Sequence, residues 1–525
     1  METQRRGGAE TDAGFGGTKG GRMGHVSSLR GLGVRVLCAV ALVAGIGGSV
    51  GAQTRPTTFK DPRPPKVNQL QKMAPATPKE YRGLRAHAAP RPLAKGAVTE
   101  DVTSFLGSRR DLRSSETPLR TVWPASGPPL LWEMRRGVSY ASPVVKGDRL
   151  VYIHRVGDKA HVECLQTTTG KRYWRFSYPC TYKGRYIRNS GSRATPVISD
   201  GLVYVHGVEG MLHCLELTTG RVAWKRNLKL EFDAPDNFFG MVSSPIIYGN
   251  LLIQNLGARR GPCVAAFDKT SGRLVWGTGT KWGASCSSPV IGSVHGQDKL
   301  FVLAGGESRP PKGGLMVLDP KTGALDFDYP FRSRTFESVV ASVPVVGRDW
   351  VFLSSAYGVG SAVLSLKKDG GFERWWHSRS VGLQFSNGIH VDGRMFVVDG
   401  SSDRAGAVVC LDAKTGKEVF RTDLDWEETV LLNGKKRKVS FSVGEGSLLQ
   451  IPDGFLCLGD NGHLLALQLT PTGVKIRSRS WLFKANETWT PLVVSHGLLF
   501  VCQNKKERFG TEPPRLLCYD LRGQN

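Results

Sequence analysis

Residues 130–134 read LLWEM, an apolar pair followed by Trp132 and a charge, the pattern of one buried β-strand. Similar aromatic strands recur at Trp174, Trp224 and Trp276, each four residues after a glycine. Trp132 has no such glycine; Gly127, Pro128 and Pro129 precede it. A lone strand needs partners from elsewhere in the chain, and where it finds them decides the fold.

A repeat beginning at residue 138 supplies the partners. Each unit has an apolar strand often opening with Ser-Pro or Thr-Pro, a tight turn, a second apolar strand and a polar loop. A third strand, a Thr-Gly turn and an aromatic fourth strand follow. The first unit contains ASPVVKGDRLVYIH and ECLQTTTGKRYW, the second ATPVISDGLVYVH and HCLELTTGRVAW, the third SSPIIYGNLLIQ and AAFDKTSGRLVW. Units five and seven are degraded. The turn glycines fall at 170, 220, 272, 323, 371, 416, 473 and 523, spaced by 50, 52, 51, 48, 45, 57 and 50 residues. Four-strand units near this length are the signature of a β-propeller. Each glycine supplies the positive φ of a strand-connecting turn. The aromatic four residues later (Trp174, Trp224, Trp276, Phe327, Trp375 or Phe420) is expected on the outermost strand, docked on the neighbouring blade. The eighth unit ends at LLCYDLRG without an outer strand. LLWEM is the expected replacement, with Trp132 in the docking position. The fold expected is therefore an all-β, eight-bladed propeller of four-stranded antiparallel blades over 130–525, closed by its N-terminal strand. A seven-blade count would require units five and seven to be a single insertion.

Composition agrees with an all-β chain rich in turns: 525 residues, 64 of them glycine, with a net charge of +26. Arg30 and Arg35 precede an apolar run from Val36 to Ile46, and small residues lead to Ala52. This is the layout of a signal peptide over 1–52, with Met23 an alternative start and an uncleaved anchor the alternative fate. Export to the periplasm or cell envelope follows, and it argues against a nucleic-acid partner despite the basic charge. Residues 53–100 hold eight prolines and ten Lys or Arg against three acids, so a disordered basic linker is expected there, either a solvated spacer or a tether to an acidic surface. Residues 101–129 form a lead-in segment. No apolar run after Ala52 is long enough to span a bilayer, and a monomer is expected.

The repeat A-x-D-x-x-T-G-x-x-x-W, with AFDKTSGRLVW at 266–276 as its nearest copy, resembles that of the pyrroloquinoline-quinone (PQQ)-type propellers. SFLGSRRDLRSSETPLRTVWP at 104–124 is similar to the degenerate W-x-x-F-R-G-P-x-R-D-G opening of exported PQQ-like propellers. The resemblance implies one of two classes. Quinoprotein dehydrogenases bind PQQ and calcium and oxidise alcohols or sugars; scaffolds resembling the assembly lipoprotein BamB are non-catalytic and bind envelope proteins. Many of the dehydrogenases clamp PQQ with adjacent cysteines and carry long pocket-building insertions. No Cys-Cys pair or C-x-x-C-H occurs here. Fold alone does not choose. The expectation is a non-catalytic scaffold without a cofactor, with a PQQ oxidoreductase and a binder of acidic glycans or other anions as alternatives.

Ligands of propellers sit on the face carrying the second-to-third-strand and blade-to-blade loops. Here those loops hold Lys183, Arg185, Tyr186, Arg188, Arg259, Arg260, Lys281, Trp282, Arg309, Lys312, Arg332, Arg334 and Lys435 to Lys438. Convergent guanidinium groups would hold a carboxylate or phosphate, against the plainer reading of a generally basic surface. His154 and His206 share one repeat position; two imidazoles without a third ligand read as structural. Asp399, Asp403 and Asp460 lie in glycine-rich loops that could take calcium, although Asp-Gly turns need none. Asp268, Asp319, Asp412 and Asp520 recur at one repeat position, which argues for a bond to the Thr-Gly turn. Cys263 and Cys286 are the one pair worth testing as a disulfide. No nucleophile, phosphate-loop or zinc motif is present.

Overall fold

A computed structural model describes residues 59–184, 190–401, 404–432, 434–485, 487–507 and 511–524. The expected signal peptide, Arg185, Tyr186, Arg188 and Asp403 lie outside these residues.

Seven antiparallel sheets span 144–179, 197–227, 246–278, 290–330, 345–378, 389–423 and 447–481, each of four strands. The eighth blade joins Val493–Ser495, Leu498–Cys502 and Arg515–Asp520 to Leu130–Arg135 from the other end of the chain. In that blade Trp132 stands opposite Cys518. The fold is an eight-bladed all-β propeller, and LLWEM is its closing strand.

The docking aromatics show why a glycine marks each turn. Trp132 is fully buried and its Nε1 donates to the Thr167 carbonyl of the first blade at 2.8 Å. Its ring lies where a Cβ on Gly170 would come within 2.7 Å. Trp174 repeats the bond to Leu217 O at 2.9 Å and Trp224 to Lys269 O at 3.1 Å, against Gly220 and Gly272; Trp276 lies against Gly323. These glycines thus combine positive φ with an open face for the neighbour's ring.

At the fifth blade the four-residue count fails. Its outer hairpin runs two residue pairs further before turning, so Trp375 falls on the bulge and Trp376 stands opposite Val363. Trp376, not Trp375, donates to the next blade, at 3.0 Å to Ala413 O, with its ring on Gly416. Phe327 correspondingly meets Phe372, centroids 4.8 Å apart, instead of a glycine. Phe420 packs into the core shared by blades six and seven, while Thr422 meets Gly473. In blade seven the position holds Ser478, and Trp123 of the lead-in fills the joint, its N–H donating to Ser478 Oγ at 3.1 Å. The 57-residue spacing is explained by an extra hairpin, Asp425–Leu432 with Lys435–Ser442.

Residues 59–100 are not a disordered linker. They run as an extended strap along the outer strands. Asp61 bonds Arg226 at 2.6 Å and the Leu274 N–H at 2.7 Å; the Asn68 N–H donates to Ala223 O; Lys79 bridges Arg172; and Leu84–Ala86 adds a fifth strand outside Leu130–Arg135. The segment has too few apolar residues for a core of its own, but its backbone satisfies the open edges of outer strands. The lead-in crosses the end of the ring where first and second strands turn. It bridges Val102 to Val145 and Arg113 to Gln450, and Glu116 accepts from the N–H groups of His496 and Gly497. Among the described residues no helix is long and apolar enough to cross a membrane.

Candidate functional site

The central channel is built from one repeat position. Four residues before the inner strands that begin at Val144, Val197, Ile246, Val290, Val345, Ile389 and Val493 stand Tyr140, Arg193, Val242, Cys286, Ala341, Phe385 and Trp489. All seven line one cavity of about 110 Å³, with Phe105 of the lead-in and Phe239. In the first four blades the Ser or Thr of the Ser-Pro or Thr-Pro sits two residues further on. The Ser142 N–H donates to Thr195 Oγ1 (3.1 Å), Thr195 N–H to Ser244 Oγ (2.9 Å) and Ser244 N–H to Ser288 Oγ (2.9 Å); Val343 N–H finds Asn387 Oδ1 (2.9 Å). These bonds stitch neighbouring inner strands and satisfy buried N–H groups. The dipeptide is therefore a blade-to-blade clasp, and the channel face lies just ahead of it.

That face is filled. Phe385 stacks on Trp489 with centroids 4.4 Å apart and planes 18° apart, and Trp489 on Tyr140 at 5.7 Å and 20°. The Arg193 guanidinium lies over the rings of Tyr140 and Phe239 at 5.2 and 5.1 Å and donates to Gly191 O and Phe239 O. Tyr140 Oη donates to Glu487, which pairs with Lys505 at 2.7 Å. Burial lowers the Arg193 pKa, and the nearby Tyr140 only partly offsets it. Beside this group, burial and then the charge of Glu487 push Asp460 up to about 7.

Among the described residues, the basic loop side chains do not assemble into one cluster. Arg259 is exposed beside Asp233 at 3.5 Å, and Arg260 and Arg334 are exposed. Lys281 pairs with Asp328 at 2.9 Å and lies over Trp282, the one hydrogen-bond, ion-pair or ring contact within the described set. Trp282 itself is buried in the core of blades three and four. Arg332 turns inward to the carbonyls of Gly305 and Ser338.

His154 accepts from the Gly137 N–H at Nδ1 and donates through Nε2 to Glu163, a neutral tautomer with both nitrogens bonded. His206 Nδ1 bonds Ser243 O, so the two histidines do not face a shared ligand. Asp399 is paired with Arg421 at 2.9 Å. Asp268, Asp319 and Asp412 accept from N–H groups of their own Thr-Gly turns, whereas Asp520 accepts from Arg91 and Arg522. Cys263 and Cys286 are free thiols, not a disulfide; the Cys263 Sγ lies 3.8 Å from Gly283 O. Among the described residues no group of three or more His, Cys, Asp or Glu could hold a metal ion.

The family model described as outer membrane protein assembly factor BamB matches residues 158–377 and 360–454. The chain belongs to this family. The dehydrogenase subunit of alcohol dehydrogenase (quinone) from Gluconobacter oxydans is 25% identical over 294 residues, 50% of this chain and 38% of its own. The 1-butanol dehydrogenase (cytochrome c) of Thauera butanivorans is 28% identical over 176 residues, 31% of this chain and 24% of its own. The chain thus spans well under half the length of these curated relatives. Among solved structures, a europium-containing methanol dehydrogenase superposes with a TM-score of 0.57 at 12% identity, covering 81% of this chain and 98% of that one. The quinohemoprotein alcohol dehydrogenase of Comamonas testosteroni gives 0.53 at 12%, covering 81% of each chain. These likenesses show the shared propeller.

PQQ does not fit the residues present. A flat cofactor needs a slot between faces, and here Phe385, Trp489 and Tyr140 occupy one another's faces. The remaining 110 Å³ falls below the roughly 300 Å³ at which ligand pockets begin.

Proposed function

We propose that this protein is a non-catalytic propeller scaffold exported to the cell envelope, where the loop face around the channel mouth binds a partner protein. The observation that carries the reading is the Phe385–Trp489–Tyr140 stack across the channel. It fills the space an enzyme of this fold would give to a cofactor. Membership of the BamB family supports the reading. The alternative, a PQQ-dependent oxidoreductase, draws on the names of the curated relatives.

One experiment separates them. Purified protein is incubated with PQQ and calcium, and bound quinone absorbance and dye reduction with alcohols and sugars are recorded. In parallel, photo-crosslinkers at Arg260 and Arg334 on the loop face and at Lys414 in a peripheral turn are activated in envelope preparations. The scaffold reading expects no turnover, and one discrete adduct from the loop face but not from Lys414. Stoichiometric quinone uptake with turnover would overturn it.

A further inference from the structure

The hairpin Asp425–Leu432 with Lys435–Ser442 interrupts the blade plan between the sixth outer strand, Glu418–Asp423, and the seventh inner strand, Ser447–Ile451. Blade closure does not need it. Its base is firmly built. Trp426 and Phe441 are buried and, with Trp481, enclose the His463 ring at centroid distances of 4.8 to 5.2 Å. Val430 is buried in the core shared by blades six and seven. Of the three acids of the first strand, Asp425 stands at the base opposite Ser442, Glu428 bonds Arg479 at 3.2 Å, and Glu427 pairs with Lys438 at 3.4 Å.

Toward the tip the chemistry changes. Lys435, Lys436 and Arg437 are exposed, and the residues across the ladder from them are Leu432, Leu431 and Val430, with no acid. Leu431, opposite Lys436, is 63% exposed. An apolar side chain among cations, on a preformed and anchored hairpin, is costly in water and suits an interface with charge on one side and hydrocarbon on the other.

We propose that this hairpin tip docks the protein on an anionic phospholipid surface, its cations on headgroup phosphates and Leu431 at the acyl boundary. An acidic protein would satisfy the cations but not account for the exposed leucine. The anchored base presents Leu431 and Lys435 to Arg437 on paired strands, so little conformational entropy is lost on contact. The inference does not rest on the scaffold reading.

The test is co-sedimentation of the full chain with phosphatidylglycerol–phosphatidylcholine vesicles at physiological salt. The triple variant K435E/K436E/R437E is compared with K367E/K368E/K414E, which reverses three exposed cations in peripheral turns. Each surface cation contributes roughly fivefold to such binding, so the hairpin variant should lose at least about tenfold and the peripheral one less than about threefold. Leu431→Ser should weaken binding at least about threefold. All three variants should keep the parent melting temperature, because the changed side chains are exposed. Equal losses from the two triple variants would overturn the proposal. So would unchanged binding by Leu431→Ser, the result expected if the true target were an acidic protein.

Discussion

Replacing Trp132 by Ala acts at the joint where the two ends of the chain meet. Trp132 is fully buried, with its ring on Gly170 and its centroid 6.1 Å from that of Phe500. Truncating such a tryptophan leaves a large cavity and costs about 3–5 kcal/mol. Loss of the Nε1 donor leaves the Thr167 carbonyl only the weak Cys518 thiol at 3.7 Å, adding about 1 kcal/mol. The sum, about 4–6 kcal/mol, is a large part of a typical stability of about 5–15 kcal/mol. Trp132→Phe keeps a ring in the slot and should cost about 2 kcal/mol. The identical contact inside the chain, Trp174 on Gly220, provides the control. Both Trp→Ala changes remove similar contacts, but only the first frees a strand tethered to its blade by nothing covalent nearby. Trp132→Ala should therefore also become sensitive to proteolysis near residues 126–136, whereas Trp174→Ala should not. Urea unfolding gives the midpoints, and limited proteolysis under native conditions gives the local opening. An unchanged midpoint for Trp132→Ala would refute the reasoning that this strand closes the ring.

Trp376→Ala should cost about 3–5 kcal/mol and Trp375→Ala about 1 kcal/mol in the same urea assay, because only Trp376 fills the slot on Gly416. Asp61→Asn removes a charge from the fully buried Arg226, which keeps Glu231 at 2.7 Å; about 2 kcal/mol of destabilisation is expected, and deleting 59–100 should cost more. Burial alone would raise the Glu163 carboxyl, but the His154 Nε2–H, then Arg175 and Arg172, hold it down at about 2. A pKa depressed in the folded state gives stability that is present above the unfolded value of about 4.3 and lost as pH falls through about 2. Denaturation midpoints measured from pH 5 to pH 2 should fall, and Glu163→Gln should flatten that slope.

The propeller was legible because its defining features are local. A turn glycine, a small third-strand residue and an aromatic four positions on recur in one short window, and their spacing counts the blades. The count misplaced one tryptophan, since hairpin length is set by pairing across strands: two further rungs in blade five shifted the docking position from Trp375 to Trp376. The strap was misread for a different reason. Composition reports whether a segment can build a core, and residues 59–100 cannot; it does not report that exposed outer-strand edges stand ready to pair with such a chain. Trp123 escaped notice because it replaces a missing repeat aromatic from more than 300 residues away in sequence.

The channel was harder to read, although its signal was present. Basic and aromatic loop residues drew attention by their chemistry, yet loops on separate blades point in directions that sequence does not fix, and Arg332 turns inward while Arg259 stays exposed. The channel residues are set by register instead. Each stands four positions ahead of an inner strand, and in blades two to four the hydroxyl two positions later is clasped by the preceding blade, so eight-fold geometry carries the whole column to the axis. Read down the repeats, that column is Tyr140, Arg193, Val242, Cys286, Ala341 and Phe385, then by register Glu445 in blade seven, and Trp489. A column that opened a cofactor slot would hold small residues facing one platform. This one places three large rings on blades six, eight and one, where Phe385 reaches past blade seven to Trp489, and Trp489 covers Tyr140 across the closing joint. The same column therefore explains why the stacked rings close over the axis and leave a cavity of only about 110 Å³.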